Sequence, residues 1–245
     1  QSRMRSANTT MPISQRQKYI LQLVIDHYIE TAEPVSSSML AQVSDLGVSS
    51  ATIRNELAAL EEDGYITSPH TSAGRIPTEK GYRFYIQSFM GKAPSLENER
   101  RQLKRTREDS FELRMRSIAR KLSELTGEAV VLTVGPKRAY KTGMTHLLSK
   151  PEFTGREMML QVGRMMDEAD EAFTQALQEY KEDVEIVFGS DSPFGDHVST
   201  MTVAYEVDGR RGAFSIVGPT RMNYQYNLAL LREVRRILSQ KNRYE

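Results

Sequence analysis

The chain has 245 residues, 39% hydrophobic and 27% charged, which suits one large domain or two small ones and excludes wholesale disorder. It has no cysteine, which excludes disulfide scaffolds, thiolate metal sites and cysteine nucleophiles and fits a reducing cytoplasm; no run approaches the roughly 20 apolar residues of a membrane span. Lys+Arg number 33 against 32 Asp+Glu, and taken alone that neutrality argues against a nucleic-acid binder.

Residues 1–11 read as a disordered tail, small and polar, with no apolar core of a secretory signal. From Ser14 as its cap, a helix is predicted over 14–31, with Ile20, Leu21, Val24, Ile25 and Tyr28 on one face. Pro34 ends it. A short helix follows at 36–44, with Met39, Leu40 and Val43 apolar. The turn Asp45-Leu46-Gly47-Val48 leads to a third helix from Ser49 to about Asp63, whose apolar face is Ile53, Leu57 and Leu60 and whose stop is Gly64. Two short helices joined by a glycine-bearing turn are a helix-turn-helix. Tyr65–Ser68 is β-like, Pro69–Gly74 is turn chemistry, and Arg75-Ile76-Pro77 returns before Thr78 caps a fourth helix carrying Tyr82, Phe84, Tyr85, Ile86 and Phe89. Strand, loop and return strand after the second helix of the pair make a winged helix, placed at 12–90.

Gly91–Ser95 marks a boundary, and a linker of 91–127 carries one long charged helix at about 96–125. Its apolar residues Phe111, Met115, Ile118, Leu122 and Leu125 follow a heptad spacing. Residues 128–245 mix strands (Ala129–Val134, Val184–Phe188, Thr200–Val207, Gly212–Val217) with helices at 155–181 and 223–240. Asp208-Gly209 is a hairpin signal. The fold class is α+β. Charge is uneven: residues 1–91 hold 8 Lys+Arg and 9 Asp+Glu, 92–125 hold 10 and 6, and 126–245 hold 15 and 17.

The screen for chemistry is nearly empty. His27, His70, His146 and His197 stand at no metal-ligand spacing from one another, and no nucleophile elbow, Walker A or dinucleotide fingerprint occurs. No catalytic residue, metal or cofactor is assigned. The helix-turn-helix is more informative. The second helix of such a pair lies in the major groove with its N-terminal residues against base edges. Here Ser49, Ser50, Thr52, Arg54 and Asn55 are the candidates, since arginine reads guanine, asparagine reads adenine, and hydroxyls and a helix N-terminus suit phosphate. The competing account makes one serine a cap and pairs Arg54 with Glu61 or another acid. The loop His70, Thr71, Ser72, Ala73, Gly74, Arg75 can follow the DNA backbone, with Arg75 reaching phosphate or the minor groove, or be an ordinary surface turn.

The runs Glu33-Pro34-Val35, Gly47–Asn55, Pro69–Thr78 and Lys80–Tyr85, with His146–Phe153 and Gly218–Tyr224 further on, closely resemble the bacterial heat-inducible transcription repressor HrcA family. The resemblance implies an N-terminal winged helix, a linker helix and a GAF-like domain carrying an inserted dimerisation domain. It also implies a homodimeric repressor of chaperone genes on a double-stranded inverted-repeat operator, the CIRCE element, kept active by a GroEL-type chaperonin. The sequence departs from that pattern: after Ala129–Val134 it runs almost directly through Gly135–Thr145 to His146–Phe153. The GAF-like domain is thus read as reduced and the insert as absent. The seam Phe111, Met115, Ile118, Leu122, Leu125 then has two roles open, an intermolecular helix pair or packing on its own sheet. Arg100, Arg101, Arg105 and Arg107 either contact phosphate or solvate the helix. Arg221, behind a Thr220 cap, either binds an anion or closes a packing turn. A winged-helix regulator controlled by a small ligand in the GAF-like domain is the alternative function.

Overall fold

A computed structural model describes residues 13–239, apart from 44, 70–73, 90–93, 106–107, 109, 136–138, 161, 165–166, 168–182 and 192–197. The chain divides into two compact units, Gln1–Met90 and Gly91–Glu245. The proposed tail lies outside the described residues.

In the first unit, α1 (Gln15–Thr31) starts at Ser14, whose hydroxyl accepts from the Gln17 amide while the Gln17 side chain accepts from the Ser14 amide. That reciprocal pair satisfies donors a helix start otherwise leaves open. Ile20, Leu21, Val24 and Ile25 are buried, and Ala32 ends the helix in the left-handed region at φ 59°. Helix α2 (Ser37–Val43) buries Leu40, whereas Val43, read as apolar packing, stands 63% exposed. Helix α3 (Ser50–Glu62) buries Ile53, Leu57 and Leu60. Strands β1 (Ile66–Thr67) and β2 (Ile76–Pro77) pair antiparallel, Ile66 opposite Pro77. Val35 bridges Arg75 on the other side of the returning strand. Helix α4 (Glu79–Phe89) buries Tyr82 and Tyr85. The Tyr85 hydroxyl donates to Asp26 at 2.6 Å; burial and that carboxylate push its pKa up.

The second unit begins with a correction. The helix expected over 96–125 is two, α5 (Glu97–Lys104) and α6 (Phe111–Thr126). The segment between them contains Asp109-Ser110, residue types that favour caps over helix interiors. Neither helix is a bare linker. Leu103 of α5 is buried, and Arg100 Nε reaches Glu233 at 2.9 Å. Strands β3 (Ala129–Val134), β4 (Ala139–Thr142), β5 (Glu185–Val187), β6 (Val198–Val207) and β7 (Arg210–Pro219) form an antiparallel sheet in the order β4-β3-β7-β6-β5. Strand β4 lies where the sequence suggested a nearly direct connection, so the sheet is larger than read. Its four residues are all half-buried, and an edge strand without alternation carries little periodic signal. Asp208 (φ 51°) and Gly209 (φ 71°) turn β6 into β7, both left-handed as a tight hairpin requires.

Alternate residues on both sides of the sheet are buried. On one side Ala129, Val131, Val198 and Val217 form a core with Leu147 from α7 (Met144–Leu148), Phe153 and Val162. Val130, Leu132, Met201, Val203, Phe214 and Ile216 point to the other and are also buried. Helix α6 packs on β3 and β4, and α8 (Tyr224–Ser239) packs on β6. The helix read at 155–181 is helical at 156–160 and 162–164, and most of its remainder lies outside the described residues. The final helix begins at Tyr224, with Asn223 Oδ1 accepting from the Tyr226 amide at 3.1 Å. Asn223, not Thr220, therefore supplies that cap.

Candidate nucleic-acid interface

Helix α3 carries most of the described candidate residues of the first unit. Ser49 has extended dihedrals, φ −68° and ψ 157°, and its hydroxyl accepts from the Thr52 amide at 3.2 Å. Thr52 Oγ1 lies 3.1 Å from the same oxygen, so Ser49 and Thr52 are engaged with each other and Thr52 is half-buried. With Ile53, Leu57 and Leu60 fixed inward, Ser50, Ala51, Arg54, Asn55 and Ala58 are exposed. Ala51, Arg54, Asn55 and Ala58 lie on one stripe at helical spacing. Two alanines in that stripe leave Arg54 and Asn55 as its long side chains. Ala51 and Ala58 carry no hydrogen-bonding side chain, so residue chemistry alone does not single them out.

Arg54 makes no ion pair with a described residue, and Glu61, the acid suggested as its partner, is engaged elsewhere. Glu61 Oε2 takes the Arg75 guanidinium at 2.8 Å, and Glu61 Oε1 accepts from Ser68 Oγ at 2.9 Å. Arg75 thus lies against the acidic end of α3. Gly74 is explained by backbone packing: an added Cβ would overlap the Val35 backbone, next to the bridge in which the Arg75 amide donates to Val35 O at 2.7 Å. His70, Thr71 and Ser72 lie outside the described residues.

Elsewhere the first unit is braced by charge. Arg16 Nε on α1 reaches Glu56 on α3 at 2.7 Å. Lys80 Nζ donates to the Asp63 carbonyl at 2.5 Å, closing the C-terminus of α3, and sits 4.4 Å from the Tyr65 ring centroid. Cations at helix C-termini complement the orphan carbonyls there.

The α6 seam is buried within its own unit. Met115, Ile118 and Leu122 are buried, Leu125 is half-buried, and the Arg210 guanidinium lies 4.9 Å from the Phe111 ring centroid. Met115, Ile118 and Leu122 thus pack inside the second unit, with Phe111 and Leu125 half-buried at its ends. Arg100 is held by Glu233, Arg101 by Asn98, and Arg107 lies outside the described residues.

The segments 146–153 and 218–224 converge on Glu128, which no sequence pattern flagged. Lys150 Nζ reaches Glu128 Oε1 at 2.6 Å, and Arg221 pairs with Glu152. Glu128 Oε2 is buried without a hydrogen-bond partner, and a Cβ on Gly218 would press on it. Burial pushes the carboxyl up to about 7 against the pull of Lys150 and Arg221. Arg221 is thus an internal ion-pair partner, as a packing turn requires. His146 is exposed at the end of α7, and His197 lies outside the described residues. No group of three metal-ligating side chains occurs among the described residues, and no described helix is long and apolar enough to cross a membrane.

The family model described as HrcA protein C terminal domain matches residues 87–226. The heat-inducible transcription repressor HrcA of Bifidobacterium longum subsp. infantis is 47% identical over 120 residues, 48% of this chain and 32% of that protein. The HrcA repressor of Acetivibrio thermocellus is 62% identical over 80 residues, 33% of this chain and 23% of that protein. The chain spans about a third or less of the length of these two curated relatives. A crystal structure of a hypothetical protein, 19% identical, superposes with a TM-score of 0.76 over 94% of this chain and 98% of that one, which shows a shared fold.

Proposed function

Since the chain belongs to the HrcA family, with the C-terminal domain model matching more than half of it, we propose that it is a sequence-specific repressor of heat-inducible chaperone genes. The first unit is a winged helix, and the second is a GAF-like domain shortened between β3 and α7. A homodimer places one α3 in each half of an inverted-repeat, CIRCE-type operator, and a GroEL-type chaperonin modulates the active form. One observation carries the reading: the exposed stripe Ala51, Arg54, Asn55, Ala58 behind a serine-capped N-terminus. The small residues allow close approach to a groove, and the two long ones have donors suited to guanine and adenine edges.

A gel shift with an inverted-repeat chaperone operator, with and without chaperonin, tests the proposal. The parent shifts the operator in preference to scrambled DNA, and chaperonin increases the shifted fraction. Arg54→Ala loses about 1–3 kcal/mol of that preference. An absent shift under both conditions removes the repressor reading, and an Arg54→Ala variant that discriminates like the parent removes α3 as the reading element.

A further inference from the structure

We propose that Glu61 is the positioning residue of the β1–β2 hairpin, and that Arg75 is a strut held by this carboxylate and not a contact to DNA phosphate. The inference rests on the DNA-binding reading above and deepens it.

Glu61 stands in the last turn of α3, and its two oxygens serve the two ends of the hairpin loop. Oε1 accepts from Ser68 just after β1, at 2.9 Å. Oε2 takes Arg75 Nη2 just before β2, at 2.8 Å. One side chain therefore ties both stems of the loop to the helix proposed to enter the groove. The backbone fixes Arg75 independently. Its amide donates to Val35 O at 2.7 Å and its carbonyl accepts from Val35 N at 2.9 Å, with Gly74 pressed against the same backbone.

The guanidinium is oriented for this internal role. The Arg75 side chain is only 27% exposed, and its Nε is buried without a hydrogen-bond partner. An arginine meeting phosphate offers its forked donors outward. Here one side of that fork is closed off and an end nitrogen is committed to an acid. The acid also explains why the pair is needed. An unpaired carboxylate at the hairpin base would repel a phosphate backbone, whereas a paired one is neutral and holds the two stems against α3.

The experiment measures binding of the full chain to an inverted-repeat operator duplex across a salt series, at a temperature where circular dichroism shows each variant folded. Positioning predicts that Glu61→Ala and Arg75→Ala each weaken operator binding by about fivefold. The double variant is no weaker than either single one, and the charge-swapped E61R/R75E protein recovers most of the loss. A phosphate contact predicts a different pattern. Arg75→Ala alone then loses affinity and lowers the log-log salt slope by about 0.9, Glu61→Ala binds as tightly as the parent or tighter, and the swap recovers nothing. Either that pattern, or lowered melting temperatures with unchanged affinities, overturns the inference while leaving the repressor reading standing. A parent chain that binds no operator at any salt removes both.

Discussion

Replacing Glu128 with glutamine should stabilise the second unit by an amount that grows as the pH rises above about 4.5 and is complete near 7. The carboxyl is buried, one oxygen has no hydrogen-bond partner, and its pKa is raised from 4.5 to about 7. The unfolded chain loses this proton near 4.5, and the folded chain keeps it to about 7. Between those values the native state binds the extra proton, so this group lowers stability as pH rises through the window and adds no further slope above it. At about 1.4 kcal/mol per pKa unit the full effect is about 3 kcal/mol. This already includes the attraction of Lys150, because the raised pKa is the balance of burial against that cation. Glutamine resembles the neutral acid in shape and cannot ionise. Glu128→Gln should therefore match the parent at about pH 4 and exceed it by about 3 kcal/mol at about pH 8. For a domain of this size the melting temperature at the higher pH should rise by about 6–12 °C. Scanning calorimetry of the full chain at both pH values reads this directly in the second unit's transition. A glutamine variant that melts below the parent at the higher pH would refute the reasoning, because Lys150 would then be sustaining an ionised Glu128 that contributes stability.

Two further substitutions test the packing of the units separately. An added Cβ at Gly81 meets the Tyr65 carbonyl, which is backbone and cannot rotate away; Gly81→Ala should cost the first unit about 2 kcal/mol and leave the second unit's transition in place. Phe153 is fully buried in the core with Val131, Leu147 and Val217; Phe153→Ala should cost the second unit about 3–5 kcal/mol, seen as a lower denaturant midpoint for that unit only.

What could be read from the sequence was local. Helix α3 is written in a serine cap and three apolar residues at helical spacing, and the β6–β7 hairpin in two residues that tolerate positive φ. Both signals lie within a few residues of the structure they specify. What escaped depends on partners far along the chain. Helices α5 and α6 carry a continuous charged pattern that looks like one helix, yet α5 is held by Arg100 on Glu233, 133 residues away. Strand β4 is defined by its pairing with β3, not by alternation. The same holds for the candidate interface. The sequence pointed to Arg54 and Asn55, but the assignment of Glu61 to Arg75 over Arg54 required knowing that the hairpin folds back against the end of α3.

That assignment also resolves the objection raised by a nearly neutral composition. In the first unit Arg16 pairs with Glu56, Arg75 with Glu61 and Arg83 with Glu79, while Lys80 caps α3 and faces Tyr65. These four cations among the described residues are engaged in holding the fold, so counting them says little about charge offered to DNA. Arg54 is the exception on the α3 stripe, and beside it stand a hydroxyl-capped helix N-terminus, Asn55 and two alanines. Backbone amides, hydroxyls and carboxamides contact phosphate and base edges without net positive charge. On the proposed function, such a surface should recognise by fit more than by attraction. A single unit should bind non-specific DNA weakly, with a shallow salt dependence, and tight binding should require two linked units on one operator. The balanced charge of the chain is therefore compatible with a repressor that gains its affinity from sequence recognition in pairs.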